Sequence, residues 1–240
     1  MVVVAGGGHF GSKAAKYAKE SGARVAIVDL DPHCAAAAFA DSILGGYGKG
    51  ALDTEGSAVL FVQDAVDFLL DLLRSTTPGY IVPAVPGHLA AWVVERWLKT
   101  KGLVVSPSGM VSKVTSAMPQ STILFTDEAK GVVVTSYMPQ GQLCRLPCMQ
   151  PGDRCPTTGR AKLGPMHRFL SEAAAGNADI TRVFVSRLVG PEAGCFRGEE
   201  LASLLVDLGS ATPPYTLAVG TSCECHGILN LFAVSNNPIH

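Results

Sequence analysis

Charge and aromatic side chains are both scarce in this sequence. Only 16% of residues are Asp, Glu, Lys or Arg, and 7% are aromatic. Lys and Arg number 19 against 20 acids, for a net charge of −1. Neither a basic surface for nucleic acid nor a self-repelling acidic tail is compatible with that balance. A long hydrophobic run is also missing. The longest uncharged apolar stretch, Tyr80 to Val94, is interrupted by two prolines, a glycine and a histidine, which excludes a membrane span. A strand beginning at Val2 leaves no room ahead of it for a secretory leader, so the expected location is the cytoplasm. Apolar residues are plentiful at 48% of 240, enough to bury one large domain or two small ones. The seven cysteines are the compositional surprise, because a reducing compartment favours metal ligation or redox chemistry over structural disulfides.

The first half alternates strand and helix signals. Val2 to Ala5 is an apolar β-branched run stopped by glycine, and residues 10–21 carry a helical pattern ended by Gly22. "RVAIVDLDP" supplies a second strand, completing a βαβ unit. Asp64, Asp67, Asp71 and Arg74 fall on one face of a further helix. "YIVPAV", "GHLAAWVVERWLKTKG" and "LVVSPS" then read as strand, helix and strand, so this half is expected to form an open, parallel α/β sheet. From about residue 115 the pattern changes. A hairpin turning at Asp127–Gly131 precedes a Pro/Cys/Gly-rich loop over 138–165, and helices near 166–175 and "EELASLLVDL" alternate with strands to the end. The expected architecture is an N-terminal domain over 1–115 with a Rossmann-like parallel sheet and a Cys-rich α+β domain over 116–240.

Between the first strand and the first helix stands "GGGHFG", with Gly6, Gly8 and Gly11 in G-x-G-x-x-G register. Gly6 permits a tight turn, Gly8 lets backbone approach a pyrophosphate, and Gly11 lets the helix pack close to the sheet. The N–H groups and positive dipole end of the helix complete an anion site. Asp29 ends the second strand 18 residues after Gly11, where a carboxylate can accept both ribose hydroxyls of an adenosine. No arginine follows it, which favours NAD over NADP.

These residues resemble Rossmann-type NAD-binding domains. "GGGHFG…VAIVDLDP" is most similar to the TrkA-N (regulator of potassium conductance) domains and to saccharopine-dehydrogenase-like reductases. Both carry a G-x-G-x-[FV]-G turn and a D-x-D-P after strand two. The resemblance covers roughly the first 35 residues. It implies nucleotide contacts at Gly6, Gly8, His9, Phe10, Gly11, Asp29 and Asp31, and it implies no particular reaction. Downstream the chain departs from the pattern, because the acidic Gly-Asp step of TrkA-type domains is absent and the second half matches neither family.

"PAVPGH" ends a later strand, which should bring Gly87 and His88 over the sheet edge that holds the nucleotide. His88 is the candidate proton donor or acceptor, with helix capping as the alternative. Cys34 reads as a small buried residue in an alanine-rich helix. The loop "CRLPCMQPGDRCP" presents Cys144, Cys148 and Cys155, and "CECH" presents Cys223 and Cys225 beside His226. Three thiolates on one loop with a distant fourth suit zinc or an iron–sulfur cluster. The surrounding Arg145, Arg154, Arg160, Lys162 and Arg168 face a single acid, Asp153. They would offset the charge of about −2 on such a site. They would equally hold an anionic substrate, or lower thiol pKa for a reversible disulfide.

Together these features predict an NAD-dependent oxidoreductase with a cysteine-ligated metal, cluster or thiol in its second half. A regulatory module that senses nucleotide or redox state without chemistry of its own is the alternative. The expected partners are a small-molecule nucleotide and, beyond it, a second copy of the chain or an electron-transfer protein; nucleic acid and membrane are not expected.

Overall fold

The computed structural model describes residues 1–48, 52, 54–142, 152–190 and 192–237. The chain begins with β1 (Val2–Ala5), α1 (His9–Glu20), β2 (Val25–Asp29), a 3-10 turn (Ala35–Phe39), β3 (Ser42–Leu44), β4 (Ala58–Val62) and α2 (Ala65–Leu72). It continues with β5 (Tyr80–Pro83), α3 (Leu89–Thr100), β6 (Leu103–Pro107), α4 (Val111–Ser116), β7 (Ile123–Asp127), β8 (Val132–Ser136) and α5 (Met166–Ala175). Last come β9 (Ile180–Val185), β10 (Arg187–Val189), β11 (Ala193–Arg197), α6 (Gly198–Ser210), β12 (Tyr215–Ser222) and β13 (His226–Asn236). The architecture is mixed α/β, with two mixed sheets and six α-helices among the described residues. No described helix is long and apolar enough to cross a membrane.

The backbone divides into two compact units, residues 1–93 with 187–206, and residues 94–186 with 207–240. The first break therefore lies inside α3 rather than near residue 115, and a later segment returns to the first unit.

The first unit holds a seven-stranded sheet in the order β10-β11-β5-β1-β2-β4-β3. Its five strands from β5 to β3 are parallel. Strands covered on both faces need no polar alternation, and β1 is buried at every position. Ala14, Ala15 and Ala18 of α1 pack with Val2, Val4, Val25 and Ile27, their small size bringing helix and sheet close together. Tyr17 of the same helix is 46% exposed.

Two strands differ from the sequence-based expectation. β6 does not extend the first sheet; it pairs antiparallel with β13 in the second. The place beside β5 is taken by β11, also antiparallel, which makes the first sheet mixed. Hydrophobic pattern marks a strand but does not name its partner. "RVFVSRLV" likewise divides at Ser186 into β9 and β10, one in each unit.

The second unit is a six-stranded sheet, β7-β8-β13-β12-β9, with β6 also paired to β13. The long β13 holds β8 along residues 226–230 and β6 along residues 232–236. Val111, Val114, Met166, Leu170 and Ala174 of α4 and α5 pack with Val133, Leu229 and Leu231 of the sheet. On β9, Val183 joins this cluster, while Arg182 donates to Asp207 of α6 at 2.9 Å.

Candidate functional site

Two strand-end turns, one in each unit, gather the residues with chemical potential.

In the first unit the chain leaves β1 through Gly6, whose φ of +100° is the left-handed conformation that glycine adopts without strain. A Cβ at Gly6 would lie 2.6 Å from the Ala84 carbonyl oxygen. A Cβ at Gly11 would collide with the carbonyl oxygen of Gly6, and one at Gly7 with the Cys34 sulfur. Gly8 differs, since nothing lies within 4 Å of the Cβ position. It is also the N-cap of α1, with no side-chain cap and no acid in the first turn. The helix start thus has free space at Gly8 and carries the positive end of the helix dipole.

Asp29 closes this turn from β2. Its Oδ2 accepts from Gly7 N–H at 2.5 Å and its Oδ1 from Asp31 N–H at 2.9 Å. Asp31 is exposed and accepts from His33 N–H at 2.8 Å. His9 and Phe10 are exposed at the head of α1, their rings edge to face, and Phe10 is 50% exposed. Cys34 stands ahead of the 3-10 turn rather than in an α-helix, and Ala36 N–H donates to Gly7 O at 2.9 Å. Burial, with Asp29 and Asp31 nearby, raises the Cys34 thiol above its ordinary pKa, so it is a packing group beneath the loop.

The segment after β5 borders the same turn, because Ala84 N–H donates to Ala5 O at 2.7 Å. It therefore occupies the expected sheet edge. His88 immediately precedes α3 and is only 4% exposed, so its imidazole is enclosed rather than presented to an open cleft.

In the second unit, "CEC" is not an extended strand. β12 ends at Ser222 opposite Gly227, and residues 223–225 form the turn into β13. Cys223 N–H donates to His226 O at 2.9 Å, which sets the two residues across the turn from each other. Their side chains meet, with Cys223 Sγ 3.6 Å from His226 Nδ1. The Cys225 N–H also donates to Cys223 Sγ, at 3.4 Å. Both thiols pack on the same cluster, Cys225 within it and Cys223 against it. Cys225 is 2% exposed within the α4–α5 core, whereas the half-buried Cys223 and His226 line a cleft of about 400 Å³.

Burial, then the charge of Lys162, holds the His226 imidazole below its ordinary pKa. Lys162 also acts on Cys155. Burial pushes that thiol up, but the Thr158 hydroxyl and amide, the Thr157 amide and Lys162 outweigh it, and the net shift is downward. Cys155 is buried and donates to Met138 Sδ at 3.6 Å, and Met138 lines the cleft. Cys144 and Cys148 lie outside the described residues.

The expected ligand set does not assemble among the described residues, where no three of His, Cys, Asp and Glu are placed to hold a metal ion. Cys155 meets Met138, Cys223 meets His226, and Cys225 is buried in the core. What the sequence reading missed was the partnership of His226 with Cys223, for which a C-x-x-H spanning a tight hairpin is the available signal.

A family model described as "Uncharacterized protein, N-terminal domain" matches residues 1–89, and its companion, "Uncharacterized protein, C-terminal domain", matches residues 89–235. The chain belongs to this two-domain family. It is 28% identical over 229 residues to an "Uncharacterized protein" of Archaeoglobus fulgidus, covering 95% of this chain and 97% of that one. No solved structure matches.

Proposed function

We propose that the first unit binds NAD across the glycine turn and that the protein is an NAD-dependent oxidoreductase. One observation carries the reading. Gly6 and Gly11 are required by the backbone around them, whereas Gly8 faces open space at an uncapped helix start. The free space at Gly8 leaves room for a diphosphate to rest on the helix start. The parallel order β4-β2-β1-β5 is compatible with a Rossmann-type half and supports the same reading. Asp29 would receive the ribose hydroxyls, its oxygens retaining acceptor capacity beyond the two backbone amides. His9, Phe10 and Asp31 border the opening from the surface. Bound NAD would supply the hydride acceptor. Zinc and iron–sulfur chemistry form no part of this proposal, since the described cysteines do not fit such a group.

The burial of His88 favours a second reading, nucleotide sensing without chemistry. Calorimetry with NAD, NADP and ADP-ribose separates them. NAD binding that is lost in Gly8→Val and stronger than NADP binding is the expected result. Equal NAD affinity in wild type and Gly8→Val would remove the nucleotide site. ADP-ribose binding as tightly as NAD would leave the nicotinamide without a contact and select the sensor.

A further inference from the structure

We propose that Cys223 and His226 form the nucleophile of an acyl-transfer site opening on the cleft of the second unit. The inference is independent of nucleotide binding in the first unit. A thiol becomes an effective nucleophile when a base stands within reach, a donor stabilises the developing thiolate, and space exists for the electrophile. All three are present. His226 Nδ1 lies 3.6 Å from the sulfur, the Cys225 N–H points to it at 3.4 Å, and the cleft offers about 400 Å³. That volume is within the range of small-molecule pockets, roughly 300–1,000 Å³.

The other described cysteines lack this combination. Cys195 is buried, with its thiol pushed up to about 11, and Cys225 lies in the core. Cys34 packs under the glycine turn, and Cys155 is buried against Met138. Among the described cysteines, the pairing of a cleft-lining thiol with an imidazole sets this turn apart.

The lining indicates the substrate class. Leu124, Val134 and Ile228 contribute apolar surface to the lining, and Thr135, Ser136 and Thr221 contribute hydroxyl-bearing residues. A short apolar acyl chain with a polar carbonyl end, carried as an ester or thioester, matches both. In the reaction the sulfur lone pair forms a bond to the carbonyl carbon while the carbonyl π pair moves to oxygen and the thiol proton passes to His226 Nδ1. Collapse restores the C=O bond, breaks the bond to the leaving oxygen or sulfur, and returns the proton to it. Water then attacks the thioester by the same route, releasing the carboxylic acid and the free thiol.

p-Nitrophenyl butyrate added to the intact protein tests this. The expected result is a burst of nitrophenol release, with a butyryl group mapped by peptide mass spectrometry to Cys223. Cys223→Ser should abolish the burst, and His226→Asn should slow it about 100-fold, the lower end of general-base contributions. Circular dichroism checks that both variants fold, and the wild-type mapping depends on neither. Absence of a burst, a butyryl group on another residue, or an undiminished rate in a folded His226→Asn protein would overturn the proposal.

Discussion

The turn after β1 and the turn after β12 both lie where a strand ends and polar groups converge, yet they are built from opposite materials. The first is almost all backbone. It removes side chains so that main chain can approach main chain at Gly6 and Gly11, and it leaves one vacant face at Gly8. The second is made of side chains, a thiol and an imidazole brought together by hairpin register. A backbone site tolerates almost no added atoms where the chain crosses itself, and tolerates them freely where it faces outward. A side-chain site depends on identity at two positions and on the strand pairing that aligns them.

The sharpest way to break this comparison is to add one methyl group at two neighbouring motif positions. Gly11→Ala forces a Cβ into the Gly6 carbonyl and should destabilise the first unit by about 3 kcal/mol or more, at the upper end of overpacking costs. Gly8→Ala meets nothing and should cost under about 1 kcal/mol, the difference between glycine and alanine at a helix N-cap. Denaturant titration measures both, and equal losses would mean that the three glycines do one job rather than two.

Next in size is a core truncation that tests whether the second turn is rigid. Leu170→Ala opens the cluster into which Cys225 packs and should cost roughly 2–4 kcal/mol by chemical denaturation. Cys223 alkylation should then also slow, because the turn loses its anchor. Unchanged alkylation would place the alignment of Cys223 and His226 in the strand pairing alone.

The smallest expected effect is in acid. Each unit carries an exposed carboxylate held below the ordinary value of 3.8. For Asp41 the main cause is the Lys19 ammonium, followed by the Ala58 amide; for Asp179 it is the Thr216 amide and hydroxyl. A carboxylate with a depressed folded pKa stabilises the protein above its unfolded value, and that contribution disappears as pH falls through the folded one. Asp179→Asn should therefore flatten the acid limb of unfolding for the second unit, and Asp41→Asn that of the first. Tryptophan-independent hydrogen exchange followed by mass spectrometry can assign each loss to its unit.

The glycine turn was legible because its chemistry is local. Strand, turn, helix and the carboxylate of Asp29 are all specified within about thirty consecutive residues. β6 was visible as a strand but its partner was not, since pairing with β13 spans half the chain and leaves no mark on "LVVSP" itself. β11, written "AGCFR", was not singled out because a glycine and a cysteine dilute its β signal. The arrangement of the terminal cysteines was not legible from their proximity in sequence. "CECH" presented two thiols as ligands, whereas a hairpin turn there buries Cys225 in the core and sets Cys223 against His226.

The sequence order of the pairings also governs what a ribosome can finish. When Ile81 and Val82 have been made, β5 already has β1 on one side, but its other neighbour β11 awaits residues 193–197. The second sheet waits longer still, because its central strand β13 comes after every strand it must join. A nascent chain thus carries an open β5 edge through the synthesis of β6 to β10, and the second sheet does not close until β13 is delivered. Strand edges left unpaired during translation are where neighbouring chains stick to one another. The interval between the synthesis of β5 and that of β11 is thus the period in which this edge can meet a neighbouring chain on a polysome.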